Sequence, residues 1–259
     1  MLRVAEKHFA KSDTGRQRGS NEDALFARAP LFAVADGMGG ARAGEIASDI
    51  VVQTLQEGMP ADGSVEERLA AMARDANERI HTRSRADERE VGMGTTLTAA
   101  FVGDGDIAFA HVGDSRAYRF RDGELERLTQ DHSLVEEMLR RGKITEEEAA
   151  EHPQRSVITR ALGPEPAVEV DTFTHPARPG DLFLLCSDGL SSMVRDEDIA
   201  AILREAGSVE EAGQRLIDAA NEAGGRDNIT VILFRVEDVS ESSAEAVAAG
   251  GAEPEAVET

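Results

Sequence analysis

The chain has 259 residues and a formal net charge of -22, from 28 basic and 50 acidic residues, so phosphate backbones are repelled and no nucleic-acid partner is expected. It has no Trp and one Tyr, which leaves little for single strands to stack on, and its lone cysteine, Cys186, cannot close an intrachain disulfide. No run approaches the roughly 18 apolar residues of a membrane span, and MLRVAEKHF has no signal-peptide core, so the expectation is a soluble, cytoplasmic protein, and a monomer because no apolar surface stripe is left over.

The first thirty residues are polar, with an apolar patch at residues 24–27 and a charged stretch from Arg18 to Asp23. An apolar run from Leu31 then delivers Asp36 into a turn rich in glycine (Gly37, Gly39, Gly40, Gly44). Two amphipathic helices follow. Ile46, Ile50, Val51 and Leu55 share one face, and Ser64-Val-Glu-Glu67 opens the second with a capping box. From Gly94 the texture turns to short strands at residues 95–102, 107–112, 116–121 and 125–128, separated by Asp-Gly turns that predict hairpins and antiparallel sheet. Residues 130–163 read as a thinly apolar insertion with two short helices, the second opened by a capping box at Thr145-Glu-Glu-Glu148, a candidate flap. Strands return at residues 168–173 and 181–186. Two helices and a last strand from Ile229 to Val236 complete a domain of residues 1–239. Residues 240–259 read as an acidic, disordered tail.

The acids carry the chemistry. Apolar runs end at Asp36, Asp114 and Asp188, and Asp227 precedes the last strand. If neighbouring strands run antiparallel, all four reach one sheet edge. Clustered carboxylates resist burial unless a cation neutralises them. Oxygen ligands select Mg²⁺ or Mn²⁺, and no His-x-x-x-His or Cys-x-x-Cys pair suggests zinc. Two such ions can activate water against a phosphoryl group. Asp36 is the natural bridging ligand, the Gly37 carbonyl could add an oxygen, and Arg18 or Arg16 could grip phosphate. Taken singly, Asp before Gly is ordinary turn chemistry.

The motifs RxxNEDA (18–24), VADGMGG (34–40), GTT (94–96), HVGDSRAY (111–118), LTQDHS (128–133), ITRALG (158–163), LCSDGL (185–190) and GGRDNITV (224–231) together resemble those of the PPM, or type 2C, metal-dependent protein phosphatases in their bacterial form. The resemblance implies an α+β fold, a four-layer sandwich of two central antiparallel sheets flanked by helices. It implies hydrolysis of phosphoserine and phosphothreonine on proteins by a metal-activated water, opposing serine/threonine kinases, which would be among the partners. Carried over by motif, Asp36 bridges two Mn²⁺ or Mg²⁺ ions, Gly37 binds one through its carbonyl, and Asp188 and Asp227 complete the other. Asp114 with Asp188 matches a third site seen in bacterial members. Glu22 and Asp23 would hold water in the outer shell, Asn228 would orient Asp227, and Arg18 matches the phosphate-binding arginine. Met38 stands where eukaryotic members carry a histidine proposed as general acid, so metal-bound water is the first candidate for that proton and His132 the second. His111 is expected to pack on a strand. Competing readings are a catalytically silent phosphoprotein-binding domain and a phosphatase dedicated to one regulatory partner.

Overall fold

The computed structural model describes residues 1–39, 43–150 and 152–239. The expected acidic tail, 240–259, lies outside the described residues, as does Gly40 of the glycine turn. In chain order the elements are β1 (Leu2–Asp13), β2 (Asp23–Arg28), β3 (Leu31–Met38), α1 (Ala43–Glu57), α2 (Val65–Ala86), β4 (Gly94–Thr95), β5 (Leu97–Val102), β6 (Asp106–Val112), β7 (Arg116–Arg121) and β8 (Glu124–Arg127). Then come α3 (Leu134–Arg140), α4 (Glu146–Ala150), β9 (Asp171–Pro176), β10 (Leu182–Cys186), α5 (Asp188–Ser191), α6 (Asp196–Glu205), α7 (Val209–Glu222) and β11 (Ile229–Asp238).

They build the expected sandwich. One sheet runs β1-β11-β10-β7-β8, the other β2-β3-β5-β6-β9 with β4 paired to β3, and the strand pairs are antiparallel. Side-chain alternation explains the layers. Phe32 and Val34 of β3 point between the sheets, while Ala33 and Ala35 pack under α1 and α2. In β10, Phe183 and Leu185 point between the sheets, while Leu182, Leu184 and Cys186 meet α6 and α7. Covered on both faces, these strands read as continuous apolar runs. Phe32 stacks on Phe234 with centroids 4.3 Å apart, and Phe183 flanks Phe234 at 5.5 Å.

Local signals act as expected. Ser64 and Glu67 close their capping box, with bonds of 3.2 and 2.8 Å. Thr145 and Glu148 form the same reciprocal pair before α4. Asp122 and Gly123 both have positive φ (53° and 86°), the geometry of a tight hairpin turn between β7 and β8.

Two elements differ from expectation. β1 occupies the polar start of the chain. It is an edge strand carrying Glu6, Lys7 and Lys11, and an irregularity between Val4 and His8 breaks its alternation, so no period marks it. The strand expected at 168–173 forms three residues later. Val168 and Val170 pack against the core beneath α1 and α2, and Phe173 stacks on Phe109.

Candidate metal and phosphate site

Antiparallel pairing delivers the acids to one end of the sandwich. Asp36 lies near the end of β3, paired with Asp23 at the start of β2. Asp114 follows β6 and Asp188 follows β10. Asp227 precedes β11, the strand beside β10. The charges of Asp23, Asp188, Asp114 and Asp227 all act on Asp36, which makes it the centre of the group.

Burial is the leading reason that these carboxyls hold protons unusually well, and mutual repulsion adds to it. Asp36 is raised well above the ordinary range. Asp114 is pushed up to about 8 by burial and by the charge of Asp188. Asp23 is raised to about 7, and Asp188 to about 6 by burial and Asp227. Glu22 is raised by burial, with Arg18 opposing.

The hydrogen bonds fix this cluster from behind. Asp23 Oδ2 accepts from Ser187 Oγ (2.8 Å) and Thr230 Oγ1 (2.6 Å), which ties the second sheet to the first. The Asp36 N–H donates to Thr96 Oγ1 (2.9 Å), and its carbonyl accepts from Thr95 Oγ1 and Thr96 N. Glycine is required where the backbone closes on itself. A Cβ on Gly37 would lie 2.2 Å from the Gly44 carbonyl oxygen and 2.4 Å from that of Glu22. A Cβ on Gly44 would lie 2.2 Å from Glu22 Oε2.

These donors fit a hard divalent cation. They are all oxygen, and Asp114 Oδ1 is buried with no hydrogen-bond partner, an arrangement that costs free energy unless something positive meets it. Among the described residues, no three His, Cys, Asp or Glu side chains already stand in a closed ligating set. Mg²⁺-like ions do not require one, because they take one or two carboxylates and keep several waters.

Arg18 and Asn228 sit differently from the simplest expectation. Arg18 Nη2 donates to Asp227 Oδ2 at 2.6 Å, so the guanidinium is beside the acids and already paired. Asn228 orients Asp227 through its backbone N–H, which donates to Asp227 Oδ1 (2.8 Å). Its side chain holds the Arg18 loop instead: Nδ2 donates to the carbonyls of Thr14 and Ser20, and Oδ1 accepts from Glu22 N.

Such an edge of acids on a two-sheet sandwich has counterparts among known proteins. A protein phosphatase 2C family model matches residues 15–233. The chain belongs to the protein phosphatase 2C family. It is 42% identical over 247 residues to the serine/threonine protein phosphatase PstP of Mycobacterium tuberculosis, which covers 94% of this chain. The chain spans about half the length of that relative, 48%. It is 41% identical over 234 residues to the serine/threonine phosphatase stp of Listeria monocytogenes, covering 86% of this chain and 93% of that protein. The crystal structure of the PstP catalytic domain in complex with two manganese ions superposes with a TM-score of 0.84 at 41% identity, over 92% of this chain and all of that one.

Arg116 and its partners were not singled out from the sequence, whereas His132 and His111 were. Arg116 forks onto Asp131 (Nε to Oδ1 3.0 Å, Nη2 to Oδ2 2.7 Å) and reaches Tyr118, whose hydroxyl donates to Asp196. His132 is buried with both ring nitrogens engaged. Nδ1 accepts from Gly113 N, and Nε2 faces Asp171 and Arg160. His111 is buried between Thr98 and the Gln130 carbonyl, and burial lowers its pKa to about 4. The signals lay in HVGDSRAY, LTQDHS and LCSDGL, but partners so distant in sequence are paired only by the fold. A 610 Å³ cleft opens beside Asp114, Asp188 and Asp227, walled by α3 and α4 of the 130–163 segment and by residues 191–196. No helix among the described residues is long and apolar enough to cross a membrane.

Proposed function

We propose that this chain is a metal-dependent serine/threonine protein phosphatase, hydrolysing phosphoserine and phosphothreonine on proteins. The observation that carries this reading is the set of proton-holding carboxylates around Asp36, with Asp114 Oδ1 unpartnered and Arg18 alongside, opening on a cleft large enough for a peptide segment. In this reading Asp36 would be shared by two Mn²⁺ or Mg²⁺ ions, the Gly37 carbonyl, Asp188 and Asp227 would supply further oxygens to them, and Asp114 with Asp188 would hold a third. Glu22 and Asp23 hold water around them. Bound there, such ions lower the pKa of water and neutralise charge building on the phosphoryl oxygens.

The chain's own residues do the rest. Arg18 presents a planar fork that matches phosphate, and it exchanges Asp227 for substrate. Ser187 and Thr230 keep Asp23 in place. Met38 cannot donate a proton, and His132 has no free ring nitrogen. The 130–163 segment forms one wall of the cleft and meets the phosphoprotein. Residues 1–239 act as one catalytic domain, monomeric and cytoplasmic, with kinases among the phosphoproteins. A silent phosphoprotein-binding domain is disfavoured because every acid of the set is present.

Phosphate release from phosphothreonine, phosphoserine and phosphotyrosine peptides tests the proposal. The expected result is turnover of the first two with Mn²⁺ and none in EDTA. No release by folded, Mn²⁺-loaded protein would refute it.

A further inference from the structure

The cleft beside the carboxylates is larger than one phosphorylated side chain. At 610 Å³ it falls in the range of sites that take a ligand of many atoms, so it has room for residues flanking the phosphorylated one along its walls. Arg116, Arg127, Arg155, Arg195 and Arg226 line it. Three of these are committed within the chain: Arg116 to Asp131, Arg127 to Asp131 and Glu136, and Arg195 to Asp198. Among the described residues, Arg226 has no carboxylate partner and is exposed.

Its backbone is firmly set. The Gly225 carbonyl, one residue before, accepts from Arg16 N (2.7 Å) and Gln17 N (3.1 Å). One residue after, Asp227 O sits so close to Gly15 that a Cβ there would lie 2.2 Å away. The Asp227 carboxylate takes the Asn228 N–H and Arg18. A guanidinium on this fixed base stands at the cleft wall one residue from the reacting end.

We propose that Arg226 is a specificity-determining residue that binds a second anionic group on the substrate, near in sequence to the phosphorylated residue. The group is a carboxylate or a further phosphate, since a guanidinium forks onto either. The inference rests on the phosphatase reading and narrows its substrates to acidic or multiply phosphorylated segments.

The test is binding, by fluorescence anisotropy, of labelled peptides that carry a non-hydrolysable phosphonate analogue of phosphothreonine. The probes are flanked by glutamates, by a second phosphonate, or by glutamines. The Mn²⁺-loaded wild type is expected to bind the first two about tenfold more tightly than the third, a typical worth of one charged contact. Arg226→Gln should erase that preference, and Arg226→Lys should retain part of it. A preference for the second phosphonate alone assigns the site to phosphate. A preference for the glutamates alone assigns it to carboxylate. No preference in the wild type, or a preference that survives Arg226→Gln, overturns the proposal. Turnover is measured separately on the natural phosphopeptides. Its absence, with the binding preference and its loss intact, would count against the phosphatase reading and leave the role of Arg226 standing.

Discussion

The strand β10 carries a buried or half-buried carboxylate at each end, and the two are treated in opposite ways. Asp181, just before it, is buried with its own cation: Arg121 forks onto it (Nε to Oδ1 2.6 Å, Nη2 to Oδ2 2.5 Å) and Arg178 N donates at 2.7 Å. Burial alone would raise this carboxyl, but Arg121 and the Arg178 N–H outweigh burial and hold it below the ordinary range. Asp188, just after the strand, faces Asp36, Asp114 and Asp227, and it is raised to about 6 by burial and by the charge of Asp227. A carboxylate that serves the fold brings its counter-ion from the chain. Asp188, which the proposed function places on a metal, has no such fork and would have its charge met from outside.

This contrast can be broken from either end. The largest effect is expected at Asp188. Asp188→Asn removes one charge with little change in shape. Phosphate release should fall by more than about a hundredfold, beyond what loss of an outer partner of a metal site typically does. Circular dichroism should show the fold retained, and the metal-free chain should melt at a higher temperature than wild type, because a repelling charge has gone. At the other end, Asp181→Ala leaves Arg121 unpaired. Stability to urea should drop by about 3 kcal/mol, the lower part of the range for breaking a buried pair. The kcat of the folded fraction should be unchanged.

The smallest effect, and the one that sharpens the comparison, is in pH. Asp188, Asp23 and Asp114 have folded pKa values raised to about 6, 7 and 8. The folded chain therefore keeps protons that the unfolded chain has lost. The stability they give the metal-free protein is fully present below the ordinary carboxylate range and is lost progressively as pH rises from about 4 to about 8, the Asp188 share being gone by about pH 6. Asp181 has the opposite sign: its contribution is present above the ordinary carboxylate range and is lost as pH falls below it. Urea melts in EDTA across this span should show stability falling toward pH 8. Asp188→Asn should flatten that fall, and Asp181→Ala should leave it in place.

Only the Asp188 side of this contrast was legible in the sequence, since nothing there paired Asp181 with Arg121. Asp36, Asp114 and Asp188 each end an apolar run, and antiparallel pairing then carries them to one edge beside Asp227. The helices announced themselves through Ser64, Thr145 and their glutamates. β1 did not, because an exposed edge strand with a bulge has no clean period. The roles of Ser187, Thr230 and Arg116 could not be read either. Ser187 and Thr230 meet Asp23 across 164 and 207 residues of chain, and only the finished sandwich brings them together. The resemblance implied that Asn228 orients Asp227, and its backbone N–H does bond that carboxylate, yet its side-chain amide spans to Thr14 and Ser20.

The most direct test of the central claim is a calorimetric titration of Mn²⁺ into metal-stripped wild type, Asp188→Asn and Asp181→Ala at neutral pH. The account predicts at least two Mn²⁺ per chain for wild type and for Asp181→Ala, and a lower stoichiometry or a large loss of affinity for Asp188→Asn alone. No Mn²⁺ binding by the wild type, or equal loss in both variants, would contradict it.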